Sequence, residues 1–291
     1  MAPNVRRIFL NLSLAGTLTL AGCSASSLLA ALTPAVGSER VESIAYGPDP
    51  RQRLDVYRPA DEGTVTGAGK PVVVFLYGGS WNRGDREDYR FVGKALAARG
   101  IVAVVADYRL YPQVRYPEFL RDSAHAIAWT VREIGRYGGD AKRLFVMGHS
   151  AGGYNAAMMA LDSRWLRDEN LAPAMLAGWI GLAGPYDFLP IRNPDAQPVF
   201  DHPNYPAGSQ AIDYALPGSP RTFLAAGGSD DLVNPQRNTV QMADKLKAAG
   251  VPVTFRLYER ANHVTLIGAF GLPLRWLAPV LDDVAGFVLQ R

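Results

Sequence analysis

The chain of 291 residues contains little cysteine, little histidine and almost no net charge. Its single cysteine, Cys23, excludes an internal disulfide framework and a metal site built on cysteines. The four histidines, His125, His149, His202 and His263, have no metal-ligand spacing, so we expect no structural metal. Thirty basic and 27 acidic residues give a net charge of +3 with no basic run in the body, which argues against a nucleic-acid partner.

The first 22 residues have the pattern of a secretory signal. Arg6 and Arg7 precede an apolar stretch that is too short and too lightly flanked to span a membrane. Residues 20–23 read Leu-Ala-Gly-Cys and resemble the lipobox of bacterial lipoproteins, in which the cysteine is lipidated. We therefore expect an exported bacterial lipoprotein, anchored to a membrane through Cys23 and facing the periplasm or the cell exterior. A plain signal peptide is the alternative, and the arginine pair leaves Sec and twin-arginine export both open.

Behind the signal peptide of residues 1–22, we predict a tether over residues 23–38 and one folded domain over 39–291. The tether is mostly Ser, Ala, Leu, Thr, Pro and Gly. We predict strands over residues 53–57, 71–77, 101–108, 143–149, 179–183, 221–226 and 253–258. We predict helices near 86–99, 118–137, 151–161, 235–249 and 274–290. This alternation predicts an α/β fold with a mainly parallel central sheet and helices on both faces.

Residues 184–220 interrupt this alternation with eight prolines and no long periodicity. A compact domain seldom carries so long an irregular loop unless the loop covers or binds something. We therefore predict a proline-rich lid or cap over part of the active site. The alternative is a surface excursion packed by its own aromatic residues, Phe188, Phe200, Tyr205 and Tyr214.

A candidate nucleophile lies where a predicted strand ends. Residues 148–152 read Gly-His-Ser-Ala-Gly and precede a helix of small residues. The G-x-S-x-G pattern between a strand and a helix is typical of a nucleophile elbow, a strained turn that projects the serine hydroxyl. Gly148 and Gly152 would leave no Cβ to collide with the crossing backbone. We predict Ser150 as the nucleophile and interpret His149 as a residue packed beside the elbow.

A second glycine motif, Gly-Gly-Ser-Trp at residues 78–81, follows the buried strand predicted at 71–77. A developing oxyanion needs two or more aimed N–H donors, and glycine lets the backbone approach closely. We predict an oxyanion hole made of three backbone N–H groups, those of Gly78, Gly79 and Ala151. A plain glycine turn is the alternative. Two aromatic residues are weaker candidates for the wall of the substrate pocket, Trp81 and Tyr154.

A serine nucleophile needs a base, and the base needs an orienting carboxylate. The predicted strand 221–226 runs into a loop with two candidate carboxylates, Asp230 and Asp231. The predicted strand 253–258 runs into a loop that contains His263. Each candidate therefore follows a strand end, as Ser150 does.

With these elements, residues 43–290 resemble the α/β-hydrolase superfamily, and within it the carboxylesterases of the His-Gly-Gly-x group. The branch that this chain resembles has a Gly-Gly-x-Trp loop and is related to feruloyl/acetyl esterases and kynurenine formamidases. The resemblance implies the chain order serine, acid, histidine, which makes His263 the base. It also implies the acid, since the family's Gly-x-x-Asp-x-x-Val-Pro loop aligns with residues 227–235 and selects Asp230, with Asp231 as the alternative. Where the family commonly has a histidine that braces the oxyanion loop, this chain has Tyr77.

These observations favour a serine carboxylesterase that hydrolyses small to medium carboxylic esters through an acyl-enzyme, with no metal or cofactor. The expected partners are a small-molecule ester and a membrane, and the oligomeric state stays open. An amidase of the aryl-formamidase type is the alternative among hydrolases. A non-catalytic binding module of the cell envelope is the alternative from another class, and the complete set of Ser150, Asp230 and His263 argues against it.

Overall fold

The computed structural model describes residues 25–60 and 69–290 of the chain. The predicted signal segment and Cys23 lie outside these residues. Within the described residues, no helix is both long enough and apolar enough to cross a membrane.

Eight strands form one sheet in the order β1-β2-β4-β3-β5-β6-β7-β8. The strands are β1 Ser38–Ala45, β2 Arg53–Pro59, β3 Lys70–Leu76, β4 Val102–Ala106, β5 Gly139–His149, β6 Gly178–Leu182, β7 Thr222–Gly227 and β8 Val253–Tyr258. The β1–β2 and β2–β4 pairs are antiparallel. All the other neighbouring strands pair in parallel, which confirms the predicted mainly parallel sheet.

The central strands are buried along their length. Every residue of β4, β6 and β7 is buried, as is every residue of β3 after Lys70. Successive side chains of a strand point to opposite faces, so both faces of the sheet are covered. This double burial explains why these strands read as almost unbroken apolar runs.

The seven predicted strands are confirmed, and only β5 differs by more than two residues at an end, because it starts at Gly139. Strand β1 was not predicted. It lies at the edge of the sheet, and its side chains are half-buried or exposed throughout. A strand that buries so little carries no apolar run from which it could be recognised.

The described residues contain eight α-helices, and six of them pack in two groups. They are α1 Ala25–Leu32, α2 Arg90–Ala97, α3 Glu118–Glu133, α4 Ala151–Leu161, α5 Ser163–Arg167, α6 Gln241–Ala248, α7 His263–Gly268 and α8 Val280–Leu289. Helix α2 packs against α1 and α8, whereas α3 packs against α4 and α5.

Two helices occupy segments that were predicted to be irregular. The segment predicted as a tether forms α1, because its sequence Ala-Ser-Ser-Leu-Leu-Ala-Ala-Leu favours a helix and its end is held by tertiary contacts. Lys94 Nζ donates to the backbone oxygens of Ala30 and Thr33, both at 3.0 Å. The loop predicted around His263 ends at Asn262, and His263 is the first residue of α7.

The proline-rich segment 184–220 is mostly packed onto the body of the protein. Tyr186 and Phe200 are fully buried. Asn238 Oδ1 accepts the backbone N–H groups of Tyr186 and Asp187, at 2.7 and 2.9 Å. These contacts are those expected of the packed excursion that was the alternative to a lid, and the lid stays a prediction.

Candidate active site

Ser150 occupies the sharp turn between β5 and α4. Its backbone angles are φ 55° and ψ −123°, which is a strained conformation for a residue with a side chain. A Cβ on Gly148 would lie 1.9 Å from the carbonyl oxygen of Gly152. A Cβ on Gly152 would lie 2.0 Å from the carbonyl oxygen of Leu76. The two glycines flanking the serine are therefore sterically required, as the motif predicts.

The serine is the first of three hydrogen-bonded side chains. Ser150 Oγ lies 2.8 Å from His263 Nε2, and His263 Nδ1 lies 2.8 Å from Asp230 Oδ2. A carboxylate can only accept, so His263 carries its proton on Nδ1 and Nε2 accepts from the serine hydroxyl. Asp230 and His263 are both buried. The structure thus brings together the three residues that were predicted as the triad.

Backbone contacts explain why Asp230, and not Asp231, is in contact with the histidine. Asp230 Oδ1 accepts the N–H groups of Leu232 and Val233 at 3.0 and 2.8 Å, which fixes the carboxylate with Oδ2 towards His263. Asp231 is exposed and lies in the wall of the cavity in front of the serine.

The backbone at His263 is held by a capping box at the start of α7. The Asn262 side chain accepts the N–H groups of Val264 and Thr265 at 3.1 and 2.9 Å. In return, the Thr265 hydroxyl accepts the N–H of Asn262 at 2.8 Å. These bonds satisfy N–H groups that the first turn of a helix leaves without partners, and they fix the direction in which His263 leaves the backbone.

His149 packs against the catalytic candidate His263, with 4.8 Å between the ring centroids. Its Nε2 lies 2.9 Å from the carbonyl oxygen of His263, so Nε2 carries the proton and donates. Burial, together with the nearby His263, lowers the pKa of His149 to about 3. His149 is therefore neutral near pH 7, and it contacts the base from a position that the sequence motif leaves variable.

The glycine loop is brought to the serine by strand register. Leu76 of β3 lies opposite Gly148 of β5, so the residues after both strands meet at the same edge of the sheet. A Cβ on Gly78 would lie 2.8 Å from Ser150 Cβ. Gly79 has φ +129°, and a Cβ there would lie 2.2 Å from the carbonyl oxygen of Arg83. Both positions therefore require glycine.

The three predicted oxyanion donors differ in their surroundings. Burial raises the pKa of the Tyr89 hydroxyl to about 12, and a hydrogen bond from the Gly78 backbone N–H offsets part of that rise. The three N–H groups therefore stay the predicted oxyanion donors. Ala151 is also the first residue of α4, where N–H groups have no partner within the helix.

Tyr77 braces the loop of the predicted oxyanion donors, at the position where the resemblance leads us to expect a histidine. Its hydroxyl donates to Asp107 Oδ1 at 2.8 Å and accepts from Arg51 Nη2 at 2.7 Å. The Tyr108 hydroxyl donates to the Tyr77 carbonyl oxygen at 2.8 Å, and the two rings stack. Nothing in the sequence spacing of Asp107 and Tyr108 connects them to position 77, so these contacts could not be predicted from the sequence.

A cavity of about 970 Å³ opens in front of Ser150 and His263. The segment 184–220 contributes only three residues to its wall, Arg192, Asn193 and Asp195. Helix α1 contributes three more, Leu28, Leu29 and Leu32. The cavity is therefore bounded partly by a helix that was predicted as a flexible tether.

The two aromatic residues proposed for the pocket wall lie elsewhere. Trp81 and Tyr154 are buried, with 5.4 Å between their ring centroids, and neither lines the cavity. Trp81 Nε1 donates to Asn155 Oδ1 at 2.9 Å, and the Tyr154 hydroxyl donates to the Ser209 carbonyl oxygen at 2.7 Å. The prediction is corrected accordingly, because the indole and phenol groups are drawn inwards by buried hydrogen-bond partners.

The other two histidines do not approach this site. His125 pairs with Glu169 at 2.9 Å, and His202 contacts the Tyr205 hydroxyl at 2.7 Å. Across residues 25–60 and 69–290, no group of three or more His, Cys, Asp or Glu side chains is arranged to hold a metal ion.

Comparison with curated proteins gives relatives named as esterases. The chain is 30% identical over 251 residues to a probable isoprenylcysteine alpha-carbonyl methylesterase of Oryza sativa, with 79% of this chain and 58% of the relative covered. It is 30% identical over 224 residues to the esterase LipC of Mycobacterium tuberculosis, with 70% and 54% covered. The chain thus spans little more than half the length of these relatives.

Comparison with solved structures gives the same fold. The chain superposes on esterase B from Lactobacillus rhamnosis with a TM-score of 0.73 at 18% identity, covering 90% of each chain. The eight-stranded, mainly parallel sheet and the serine elbow after β5 therefore define an α/β-hydrolase fold. The BD-FAE family matches residues 54–246, which is more than half of the chain, and the chain belongs to that family.

Removal of the Tyr77 hydroxyl tests its bracing role. We expect Tyr77→Phe to lower the free energy of unfolding by about 1–3 kcal/mol, because the buried Asp107 and the half-buried Arg51 each lose a partner. We expect kcat for an ester to fall about tenfold with KM little changed, because the oxyanion loop is displaced. Urea unfolding and steady-state kinetics measure the two effects.

The matched control is Tyr57→Phe. The Tyr57 hydroxyl is fully buried and has no hydrogen-bond partner within the described residues, so its removal should cost little or nothing. Equal losses of stability in the two variants would contradict the role given to Tyr77.

The low pKa of His149 predicts a pH-dependent loss of stability. Its pKa of about 3 in the folded protein lies below the ordinary value of 6.5, so the unfolded chain binds more protons between these values. The resulting stability is complete above pH 6.5 and is lost progressively as the pH falls towards 3. When the pH is lowered from 7 to 5, we expect this effect to reduce the free energy of unfolding by about 2 kcal/mol. Urea unfolding of wild type and His149→Gln at both values measures it, and the variant should lose less. If the two proteins lose the same free energy of unfolding between pH 7 and 5, protonation of His149 is not the cause.

Proposed function

We propose that this protein is a serine carboxylesterase that hydrolyses small to medium uncharged carboxylic esters through an acyl-enzyme. The observation that carries the proposal is the hydrogen-bonded series Ser150–His263–Asp230, with both distances at 2.8 Å, beside the cavity. The names of the relatives, which describe esterases, support the same reaction class.

The first half of the reaction is acylation. His263 Nε2 accepts the proton of Ser150 Oγ as that oxygen attacks the carbonyl carbon of the ester. The N–H groups of Gly78, Gly79 and Ala151 stabilise the negative oxygen of the tetrahedral intermediate. The His263 proton then passes to the leaving alcohol, the C–O bond breaks, and the acyl group stays on Ser150.

The second half repeats these steps with water. His263 takes a proton from water, hydroxide attacks the acyl carbon, and the protonated His263 returns the proton to Ser150 Oγ as the acid leaves. Asp230 holds the imidazole in the required tautomer and stabilises its positive form. Because His149 stays neutral, the positively charged His263 faces no second positive ring 4.8 Å away.

Three substitutions test the assignment. We expect Ser150→Ala to lower kcat for p-nitrophenyl acetate by about 10⁴-fold or more, and Asp230→Asn by about 10³- to 10⁴-fold. Asp168→Asn is the matched control, because the same side-chain change occurs on an exposed carboxylate that does not line the cavity, and its kcat should stay within about twofold. The proposal fails if Ser150→Ala hydrolyses the ester as fast as wild type. Parallel assays with an N-formyl aryl amide test the amidase alternative.

We also propose that the protein is exported and anchored by a lipid on Cys23. The support is the sequence Leu-Ala-Gly-Cys at residues 20–23 after a basic start and an apolar stretch. Because Cys23 is the only cysteine, any thiol-linked lipid in the chain has one attachment position.

Substitution of the cysteine tests the anchor. We expect wild type expressed in a bacterium to incorporate labelled palmitate and to sediment with membranes. Cys23→Ser should lose the label and should leave the membrane fraction, whereas the control Ser26→Ala should keep both properties. Equal labelling of Cys23→Ser and wild type would rule out lipidation at this residue.

A further inference from the structure

The wall of the cavity has a charged part and an apolar part. Its charged side chains come from a few loop positions, Arg83, Arg192, Asp195 and Asp231. A continuous apolar part comes from α1, from α7 and from the segment after α7, through residues such as Leu28, Leu32, Val264, Ile267 and Leu274. Helix α1 itself carries no charged residue. This side of the cavity therefore offers nothing to pair with a charged ligand.

Helix α1 is held against the body of the protein. Lys94 Nζ donates to two carbonyl groups at the end of the helix, those of Ala30 and of Thr33 directly after it. Thr33 Oγ1 also accepts the N–H of Leu272 at 3.3 Å, and Ala30 is buried. Capping of free carbonyls by a cation stabilises a helix end. The apolar wall is thus a fixed surface.

Several apolar side chains in this wall are left in contact with water. Leu28 and Leu32 are 57% and 53% exposed, and their spacing of four residues places them on one face of α1. Leu232 and Val264, which line the same cavity, are 68% and 60% exposed. Large apolar groups that stay exposed around a concave site gain stability when an apolar ligand covers them.

The volume of the cavity also exceeds what a small ester would fill. At about 970 Å³ it lies near the upper end of the range for sites that enclose drug-sized ligands. An acetyl or methyl ester at Ser150 would leave the leucines of α1 uncovered. An uncharged hydrocarbon chain matches both the volume and the chemistry of this wall.

We propose that α1 forms a subsite for a medium to long apolar chain of the ester, with Leu28 and Leu32 as specificity-determining residues. The proposal rests on the proposed esterase activity and extends its substrate class to esters with lipid-like chains. The chain lies along α1 while the ester carbonyl lies at Ser150.

A selectivity ratio tests the subsite in the full chain. The first ratio is the kcat/KM of p-nitrophenyl decanoate divided by that of p-nitrophenyl acetate. The second ratio is the kcat/KM of decyl acetate divided by that of ethyl acetate. We expect Leu28→Ser/Leu32→Ser to lower at least one of these ratios about tenfold or more, with the short esters hardly affected. A ratio is insensitive to partial loss of folded enzyme.

Leu216→Ser is the matched control. Leu216 is 55% exposed, as the α1 leucines are, but it does not line the cavity. We expect its ratios to equal those of wild type. Ser150→Ala is assayed in parallel to check that the hydrolysis depends on this site. If it abolishes hydrolysis and the double variant keeps both wild-type ratios, the proposal is overturned.

A binding measurement separates the subsite from the proposed reaction. Methyl decyl ketone and methyl propyl ketone resemble the ester without being hydrolysed, and calorimetry with the Ser150→Ala protein gives their affinities. We expect the long ketone to bind about tenfold more weakly after Leu28→Ser/Leu32→Ser is added, with the short ketone unchanged. Equal affinities would overturn the subsite. Absence of ester hydrolysis by wild type, together with this chain-dependent binding, would refute the esterase and leave the subsite standing.

Discussion

The close crossing of two backbone segments beneath Ser150 is the constraint on which the site depends. The residues after β3 and the turn between β5 and α4 approach so closely that a Cβ on Gly78 or Gly152 would collide with the other segment. The parallel register of β3 and β5 enforces this approach. It places the candidate nucleophile and the candidate oxyanion donors side by side before any side chain of the triad is considered. The strained conformation of Ser150 is tolerated because the strand and the helix on either side fix it.

A buried group of charged side chains is hydrogen-bonded to the segment after β3 and holds it in place. Asp107 accepts from Tyr77 and Arg86, and Arg86 also pairs with Asp55 at 3.0 Å. Both carboxylates are almost completely buried. Buried carboxylates without partners are costly, so the loss of one member leaves the others unsatisfied. Tyr77 couples the oxyanion loop to this group, which is a different solution from the bracing histidine of the family that the sequence resembles.

The parts of the site that follow strand ends could be predicted, and the parts that depend on distant contacts could not. Strand β8 and helix α4 agree with their predicted bounds, and Ser150 and His263 follow from motif and chain order. Helix α1 was missed because a helix of eight residues is marginal by itself, and its contacts with Lys94 and Leu272 lie far away in sequence. Trp81 was misplaced because a sequence shows that an aromatic residue is near the site, but not which way its ring turns.

The position of α1 has a consequence for how a substrate would arrive. The helix begins two residues after Cys23, a covalent reach of about 7 Å. A lipid on that cysteine, as proposed above, would hold the rim of the cavity at the bilayer surface. Esters dissolved in the bilayer would then reach Ser150 by lateral diffusion, without crossing bulk water. Catalysis would depend on the mole fraction of the ester in the membrane, and its concentration in the surrounding water would matter only through partitioning.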